Sequence, residues 1–246
     1  MTKLLHDLNG KHKLYQLSDG FLFGTDAVLL SGIIRPGKNS VGVELGTGTG
    51  IIPILLSVHK EFQKIYAVEI QPEYADLARE NISLNGFSHK VEVVEGDLKR
   101  VNDLIPSPCD FVFSNPPYMK KDSGAKNENE KKKIARHEVM CDIRDVCCAA
   151  SSLLQDKGAF YCVYRIGRMT ELFSAMREFD LEPKNLILTA PKEKSPPNLI
   201  LVRAVKGAKP DLKTRSLFII QDENGNKTEE CLSLYETGNL SYGEGM

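Results

Sequence analysis

Short apolar runs alternate along this chain with longer stretches in which apolar and polar positions mix. Val41-Gly42-Val43-Glu44-Leu45, Lys64-Ile65-Tyr66-Ala67-Val68-Glu69-Ile70, Val91-Glu92-Val93-Val94-Glu95 and Asp110-Phe111-Val112-Phe113 are rich in β-branched and aromatic residues and read as buried strands. Between them, Ile51 to Val58 and Pro72 to Leu84 read as helices. Pro53 is tolerable in the first turn of one, and Pro72 opens the other, which Asn85-Gly86 ends. A helix from Ala135 through Ala150, a strand over Asp156 to Tyr164, a helix over Met169 to Glu178 and strands over 182–188 and 198–205 follow. Strands alternating with helices predict an α/β, doubly wound, mostly parallel sheet with helices on both faces. The last two strands are joined by about nine residues, too few for a crossover, so the final strand is predicted antiparallel. The pattern predicts one domain over 1–246. It carries an N-terminal extension (1–40), an inserted loop (119–136) and a tail (217–246) with a turn at 222–226 and a Gly-rich end of little expected order.

Composition changes this picture mainly by exclusion. The net charge of −1 over 246 residues gives no global basic field, so any nucleic-acid partner must be met by a local patch. The six cysteines show no Cys-x-x-Cys pair and no metal spacing, and no metal is expected. Cys147-Cys148 read as small core residues in a reducing compartment. No run approaches the length of a membrane span and the N-terminus lacks a signal peptide, so a soluble cytoplasmic protein is expected.

The chemistry concentrates at two strand ends. The first strand runs into Gly46-Thr47-Gly48-Thr49-Gly50, and a strand, a Gly-rich turn and a helix form the nucleotide-binding corner of a doubly wound sheet. The dinucleotide fingerprint needs a glycine where Ile51 stands, and no Gly-Lys-Ser/Thr follows for a phosphate loop. Glu44, two residues before Gly46, would repel a pyrophosphate but favours a cationic ligand. Glu69 ends the second strand 23 residues after Gly46, where a carboxylate accepts from both ribose hydroxyls of an adenosine. The ordinary alternative for Glu69 is a solvent-facing acid. Asp97, after Gly96 and before Leu98, is either an adenine contact or a turn residue. Thr25 or Asp26 stands where a helix beginning at Ala27 would be capped.

The fourth strand ends in Ser114-Asn115-Pro116-Pro117-Tyr118. Neither proline has a backbone N–H and both fix φ, so this strand end is rigid and rich in acceptors. With the Asn115 amide and the Tyr118 ring it suits a flat, amine-bearing group. From it leaves a stretch with seven cations against three acids between 119 and 136, among them Lys120, Lys121, Lys131, Lys132, Lys133 and Arg136. A charge run is usually a solvated segment; beside a reaction point it is placed to meet phosphates. His137 is either a substrate contact or a structural helix-entry residue. A second excess of cations spans Arg203 to Arg215.

Glu44-x-Gly46-x-Gly48-x-Gly50 resembles motif I of class I S-adenosylmethionine-dependent methyltransferases. Together with Phe23-Gly24-Thr25-Asp26-Ala27, Asn115-Pro116-Pro117-Tyr118 and Arg136-His137-Glu138, the chain resembles the bacterial tRNA1(Val) adenine-37 N6-methyltransferases over roughly residues 10–205. The resemblance implies S-adenosylmethionine as methyl donor, S-adenosylhomocysteine as product and a tRNA adenine N6 as acceptor. It implies Asn115, Pro116, Pro117 and Tyr118 as the catalytic set. Thr25, Asp26, Glu44, Gly46, Thr47, Gly48, Gly50, Glu69, Ile70, Asp97, Leu98 and Asn115 are the implied cofactor contacts. Protein-glutamine methyltransferases share the Asn-Pro-Pro-Tyr motif but carry a sizeable helical N-terminal domain, and DNA adenine methyltransferases carry a target-recognition region. A non-catalytic RNA-binding module of the same fold is disfavoured by the intact Glu44, glycines, Glu69 and Asn115, and a dehydrogenase by Ile51.

Overall fold

The four apolar runs from Val41 to Phe113 lie side by side, because each is too apolar to face water and too short to bury itself as a helix. The computed structural model describes residues 3–18, 24–116 and 141–243. In chain order its first nine strands are β1 (Lys3–Asp7), β2 (Lys13–Leu17), β3 (Val41–Leu45), β4 (Lys64–Glu69), β5 (Val91–Glu95), β6 (Cys109–Ser114), β7 (Leu154–Arg165), β8 (Leu181–Lys192) and β9 (Leu199–Lys206). In space the main sheet runs β5-β4-β3-β6-β7-β9-β8. All neighbouring strands from β5 to β7 pair parallel, and β9 pairs antiparallel with both β7 and β8. The predicted seven strands and reversed last strand are present. The chain moves outward from β3 to β5, then returns to the other side of β3 as β6, so the strand order reverses between β3 and β6. A crevice at the carboxyl end of the sheet opens at such a switch point.

Helices α1 (Thr25–Ile33), α2 (Ile51–His59) and α3 (Pro72–Leu84) cover one face, where Leu29, Ile54 and Ile82 meet Phe111, Phe113 and Tyr161. The short α4 (Val101–Leu104), α5 (Ile143–Leu153) and α6 (Met169–Glu178) cover the other, where Val146, Leu153 and Leu172 meet Val112, Phe160 and Val202. Both faces of the central strands are thus buried, which explains why their sequences are nearly continuous in apolar residues rather than alternating. Helix α5 begins beyond the predicted start, at a capping box in which Asp142 and Asp145 bond each other's backbone N–H groups; residues 135–140 lie outside the described residues. Cys147 is buried on α5, but Cys148 is exposed, because its neighbour on a helix points about 100° away.

Residues 1–24 gave no predicted strand, yet β1 and β2 form a separate antiparallel hairpin. The tail, of which only the Gly-rich end carried an expectation of little order, is described through residue 243. It adds β10 (Lys213–Thr214) and β11 (Phe218–Gln221) parallel to β8, then α7 (Glu229–Thr237), whose Cys231 and Leu234 are buried with Leu240 against α1. Arg35 holds this tail by donating to Gly32 O, Ile34 O and Leu240 O, while Tyr242 Oη donates to Ile33 O. The second cationic stretch is largely spent internally: Lys206 caps α5 through Ser151 O and Leu154 O, and Arg215 pairs with Glu230 at 2.6 Å.

Candidate active site

The glycine loop is built by main-chain hydrogen bonds that only positive-φ residues allow. Gly46 and Gly48 have φ of +80° and +56°, a region that costs an L-residue roughly 1–2 kcal/mol. Gly46 N and Thr47 N both donate to Val68 O at the end of β4, at 3.0 and 2.9 Å, and Gly50 N donates to Thr47 O at 3.0 Å. A Cβ built on Gly46 or Gly48 would meet nothing within 4 Å, so open space lies beside the loop, whereas one on Gly50 would touch Ala78 Cβ of α3 at 3.4 Å. The loop is therefore packed on one side and accessible on the other.

The two acids that follow from β3 and β4 are both inside. Glu69 is 6% exposed and is not the solvent-facing acid of the ordinary alternative. Its Oε2 accepts Gly48 N–H at 2.8 Å and its Oε1 accepts Gln71 N–H at 3.0 Å. Each carboxylate oxygen retains a second lone pair with which to accept from a ligand hydroxyl. Glu44 is 1% exposed and accepts a hydrogen bond from Thr47 Oγ1. Burial pushes its carboxyl up to about 8, nearby Glu69 pushes the same way, and the Thr47 bond opposes both. Without a ligand the Glu44 side chain is thus mainly a neutral acid near pH 7, not the ready carboxylate expected from the sequence.

Beyond Glu69, Gly96 N donates to Glu69 O at 2.9 Å and brings Asp97 to the same edge. Asp97 Oδ1 accepts Lys99 N–H at 2.9 Å and caps the short 3-10 turn Leu98–Arg100, so the turn reading is realised while the residue stays part-exposed beside Leu98. Ile70, next to Glu69, is half-buried.

On the other side of β3, buried Ser114 Oγ donates to Leu45 O at 2.8 Å and fixes the end of β6 against the end of β3. The next residue, Asn115, is half-buried and donates from Nδ2 to Asp26 Oδ2 at 3.3 Å. Pro116 is buried. Helix α1 starts two residues earlier than predicted, with Gly24 at the N-cap, so Thr25 and Asp26 are its first helical residues rather than its cap. Asp26 Oδ1 accepts Ala27 N–H at 3.0 Å, and a carboxylate in a first helical turn also meets the positive end of the helix dipole. A Cβ at Gly24 would lie 2.8 Å from Asp26 Oδ1, so the glycine leaves that carboxylate room. Phe23, Pro117, Tyr118, Lys120, Lys121, Lys131, Lys132, Lys133, Arg136 and His137 lie outside the described residues.

Asp97, Glu69, the glycine loop, Glu44, Ser114, Asn115 and Asp26 therefore form one continuous line along the carboxyl edge, across the switch between β3 and β6. Ser114 was quoted in the sequence motif but given no role; Asn81, on α3 behind the loop, was missed. The signal for Asn81 was available as two asparagines four apart, 81 in the last turn of a predicted helix and 85 at its end. Among the described residues no group of three His, Cys, Asp or Glu side chains could hold a metal ion, and no helix is long and apolar enough to cross a membrane.

Residues 33–119 match the family model described as the TRM5/TYW2 methyltransferase domain. A curated protein of Porphyromonas gingivalis named tRNA1(Val) (adenine(37)-N6)-methyltransferase is 30% identical over 158 residues, which are 61% of this chain and 60% of that protein. A protein of the same name from Trichodesmium erythraeum is 26% identical over 221 residues, 89% of this chain and 91% of that one. The chain thus spans less than two thirds of the first of these relatives and nearly all of the second. Among solved structures, a predicted O-methyltransferase from Agrobacterium tumefaciens superposes with a TM-score of 0.70 at 21% identity, covering 88% of this chain and 98% of that one. The tRNA m1G37 methyltransferase of M. jannaschii does so with a TM-score of 0.54 at 19% identity, covering 85% and 58%. The fold is that of the class I methyltransferases, and the resemblance drawn from the motifs is borne out by the curated relatives.

Proposed function

We propose that this protein transfers a methyl group from S-adenosylmethionine to the N6 amine of an RNA adenine, with adenine 37 of a tRNA as substrate. The single observation that carries this reading is Asn115-Pro116 at the end of β6, tied across Ser114 to the strand that feeds an open glycine loop. When bound, the cofactor supplies an electrophilic methyl on a sulfonium sulfur. The chain's residues fit such a ligand: space beside Gly46 and Gly48 for its methionine part, Glu44 for a cationic group, Glu69 for ribose hydroxyls and Asp97 with Leu98 for the adenine. The dinucleotide alternative has no comparable fit, since Ile51 stands where its fingerprint needs a glycine.

An adenine N6 amine is a poor nucleophile because its lone pair is delocalised into the ring. Asn115 Oδ1 and the Pro116 carbonyl accept its two protons and draw the nitrogen toward tetrahedral geometry, so that its lone pair faces the methyl. The bond from Asn115 Nδ2 to Asp26 sets which end of the amide faces the amine. With its lone pair so aimed by Asn115 and Pro116, the amine would take the methyl in line as the carbon–sulfur bond breaks, and the nitrogen's proton would pass to water. Tyr118 stacks on the base, and the cations between 120 and 136 meet the RNA phosphates. The N-terminal extension, inserted loop and tail belong to one catalytic domain acting in the cytoplasm. The names of the curated relatives support adenine over glutamine as acceptor.

Nucleosides from tRNA of cells lacking this gene, compared by mass spectrometry with wild type, should show loss of N6-methyladenosine restored by the gene. Unchanged N6-methyladenosine would overturn the substrate assignment.

A further inference from the structure

Helix α3 carries Asn81 in its last turn and ends at its C-cap Asn85, four residues on, and each side-chain amide pairs with one residue of β2. Asn85 accepts from Lys13 N at 3.0 Å and donates to Lys13 O at 2.7 Å; Asn81 accepts from Tyr15 N at 2.7 Å and donates to Tyr15 O at 2.9 Å. The match is geometric. Positions i and i+4 on a helix are about 6 Å apart along its axis, and positions i and i+2 on a strand about 6.7 Å. The outward edge of β2 is thereby closed by two asparagines in place of another strand.

The two amides differ in one contact. The second proton of Asn81 Nδ2 is donated to Thr49 O at 2.9 Å. Thr49 stands between Gly48 and Gly50, both at positive φ, and the Thr49–Gly50 peptide plane is held at both ends: its N–H donates to Thr47 O inside the loop, and its carbonyl accepts from Asn81, which ties the loop to α3. Asn81 is wholly buried, and with three hydrogen bonds made every polar atom of its side chain is used. Ala78, one turn earlier on α3, supports Gly50 from the same side. Asn85, four residues further on, makes no bond to the loop: its second Nδ2 proton goes to the main-chain carbonyl of Asn81 at 2.7 Å, within its own helix end, and its other two bonds hold Lys13 of the hairpin.

We infer that Asn81 is a positioning residue: it locks the glycine loop in its ligand-ready form and couples the N-terminal hairpin to cofactor binding. The inference rests on the reading of that loop as the S-adenosylmethionine site. A loop held in one conformation before binding loses less freedom on binding, so breaking the tether weakens affinity without removing any group that touches the ligand.

The test is titration calorimetry of S-adenosylhomocysteine into wild type, Asn81→Ala and Asn85→Ala. Both variants should lose stability, since each breaks two bonds to β2. Only Asn81→Ala should bind more weakly, by about three- to tenfold, the worth of one net hydrogen bond. Equal affinity for wild type and Asn81→Ala, or equal weakening in both variants, would overturn the inference. Wild-type protein that binds no S-adenosylhomocysteine would overturn the reading of the site along with it. A measurement on wild type alone covers the case in which Asn81→Ala does not fold. Coupling is reciprocal, so saturating S-adenosylhomocysteine should slow hydrogen exchange at the Tyr15 amide, bonded to Asn81, and leave the Lys13 amide, bonded to Asn85, unchanged. An unchanged Tyr15 amide, or the same slowing at both, counts against it.

Discussion

The two sides of the switch between β3 and β6 are built by different means. On the glycine-loop side every group held is main chain: Gly46 N and Thr47 N on Val68 O, Gly50 N on Thr47 O, and, held from outside the loop, Gly48 N on the Glu69 carboxylate and Thr49 O on the Asn81 amide. The Asn115 side is set by side chains, Ser114 Oγ on Leu45 O and Asn115 Nδ2 on Asp26 Oδ2. A surface made by main chain tolerates changes that keep its backbone angles, whereas one made by side chains depends on which atom each presents. The comparison teaches where the two halves of a transfer reaction should fail: damage to the loop side should appear in affinity for the donor, and damage to the Asn115 side in turnover.

The largest break should come at Asn115. Asn115→Ala removes an acceptor needed only as the amine becomes nucleophilic, so turnover should fall by about 10²–10³, by analogy with loss of one oxyanion-hole donor. Affinity for S-adenosylhomocysteine should change little. Single-turnover rates and a binding titration on the same preparation check both, and retained turnover would remove Asn115 from its assigned role. Next is Glu69→Ala on the loop side. It leaves the part-buried Gly48 N–H without its acceptor and removes two ligand contacts to a charged group, so affinity should fall by roughly ten- to a hundredfold. Turnover at saturating donor should fall far less. If turnover and affinity fell together in both variants, the two sides would not be separable.

How far the sequence disclosed this division depends on what each feature is made of. Strand cores, the glycine loop and the reversed last strand were legible because apolar runs, glycine spacing and a short connection each have one cheap structural solution. The start of α1 was misplaced because Thr25-Asp26 has good capping chemistry, and what overrode it was tertiary: the Asp26 carboxylate is occupied by Asn115, 89 positions away. The hairpin was invisible for a similar reason. Its edge is satisfied by Asn81 of α3 and its C-cap Asn85 rather than by a third strand, and no periodicity in residues 1–24 records a partner in another element. The docking of the tail was not legible, because no local pattern in 217–246 names α1 as the surface that buries Cys231, Leu234 and Leu240.

Asp26 sharpens the comparison at a smaller scale. The family resemblance implies a cofactor contact, while the geometry gives it the Asn115 amide. Asp26→Ala should lower turnover about tenfold by freeing the amide to turn its N–H₂ toward the amine, the loss of one charge-assisted bond. The apparent KM for S-adenosylmethionine should stay within about twofold. A large rise in that KM with turnover intact would place Asp26 on the donor side instead.

The smallest effect is expected at Glu44, and it is a matter of pH. The unfolded chain gives up this proton near the ordinary value of 4.5, whereas the folded chain holds it until about 8 because burial disfavours the charge. Between those values the folded state binds more protons than the unfolded one, so this residue makes stability fall as pH rises. Glu44→Gln keeps the side-chain shape and an acceptor for Thr47 and removes the titration, so its melting temperature should exceed wild type by a margin that widens from about pH 5 to about pH 8. A cationic group seated beside Glu44 would favour its carboxylate, so wild type should release a proton on binding S-adenosylhomocysteine near pH 7 and bind it a few-fold more tightly at about pH 8 than at about pH 6. In Glu44→Gln both the release and the slope should vanish. Calorimetry in buffers of different ionisation enthalpy counts that proton. Equal release from wild type and variant would mean that Glu44 does not face the ligand's charge, and the main-chain side of the site would then bind by shape and Glu69 alone.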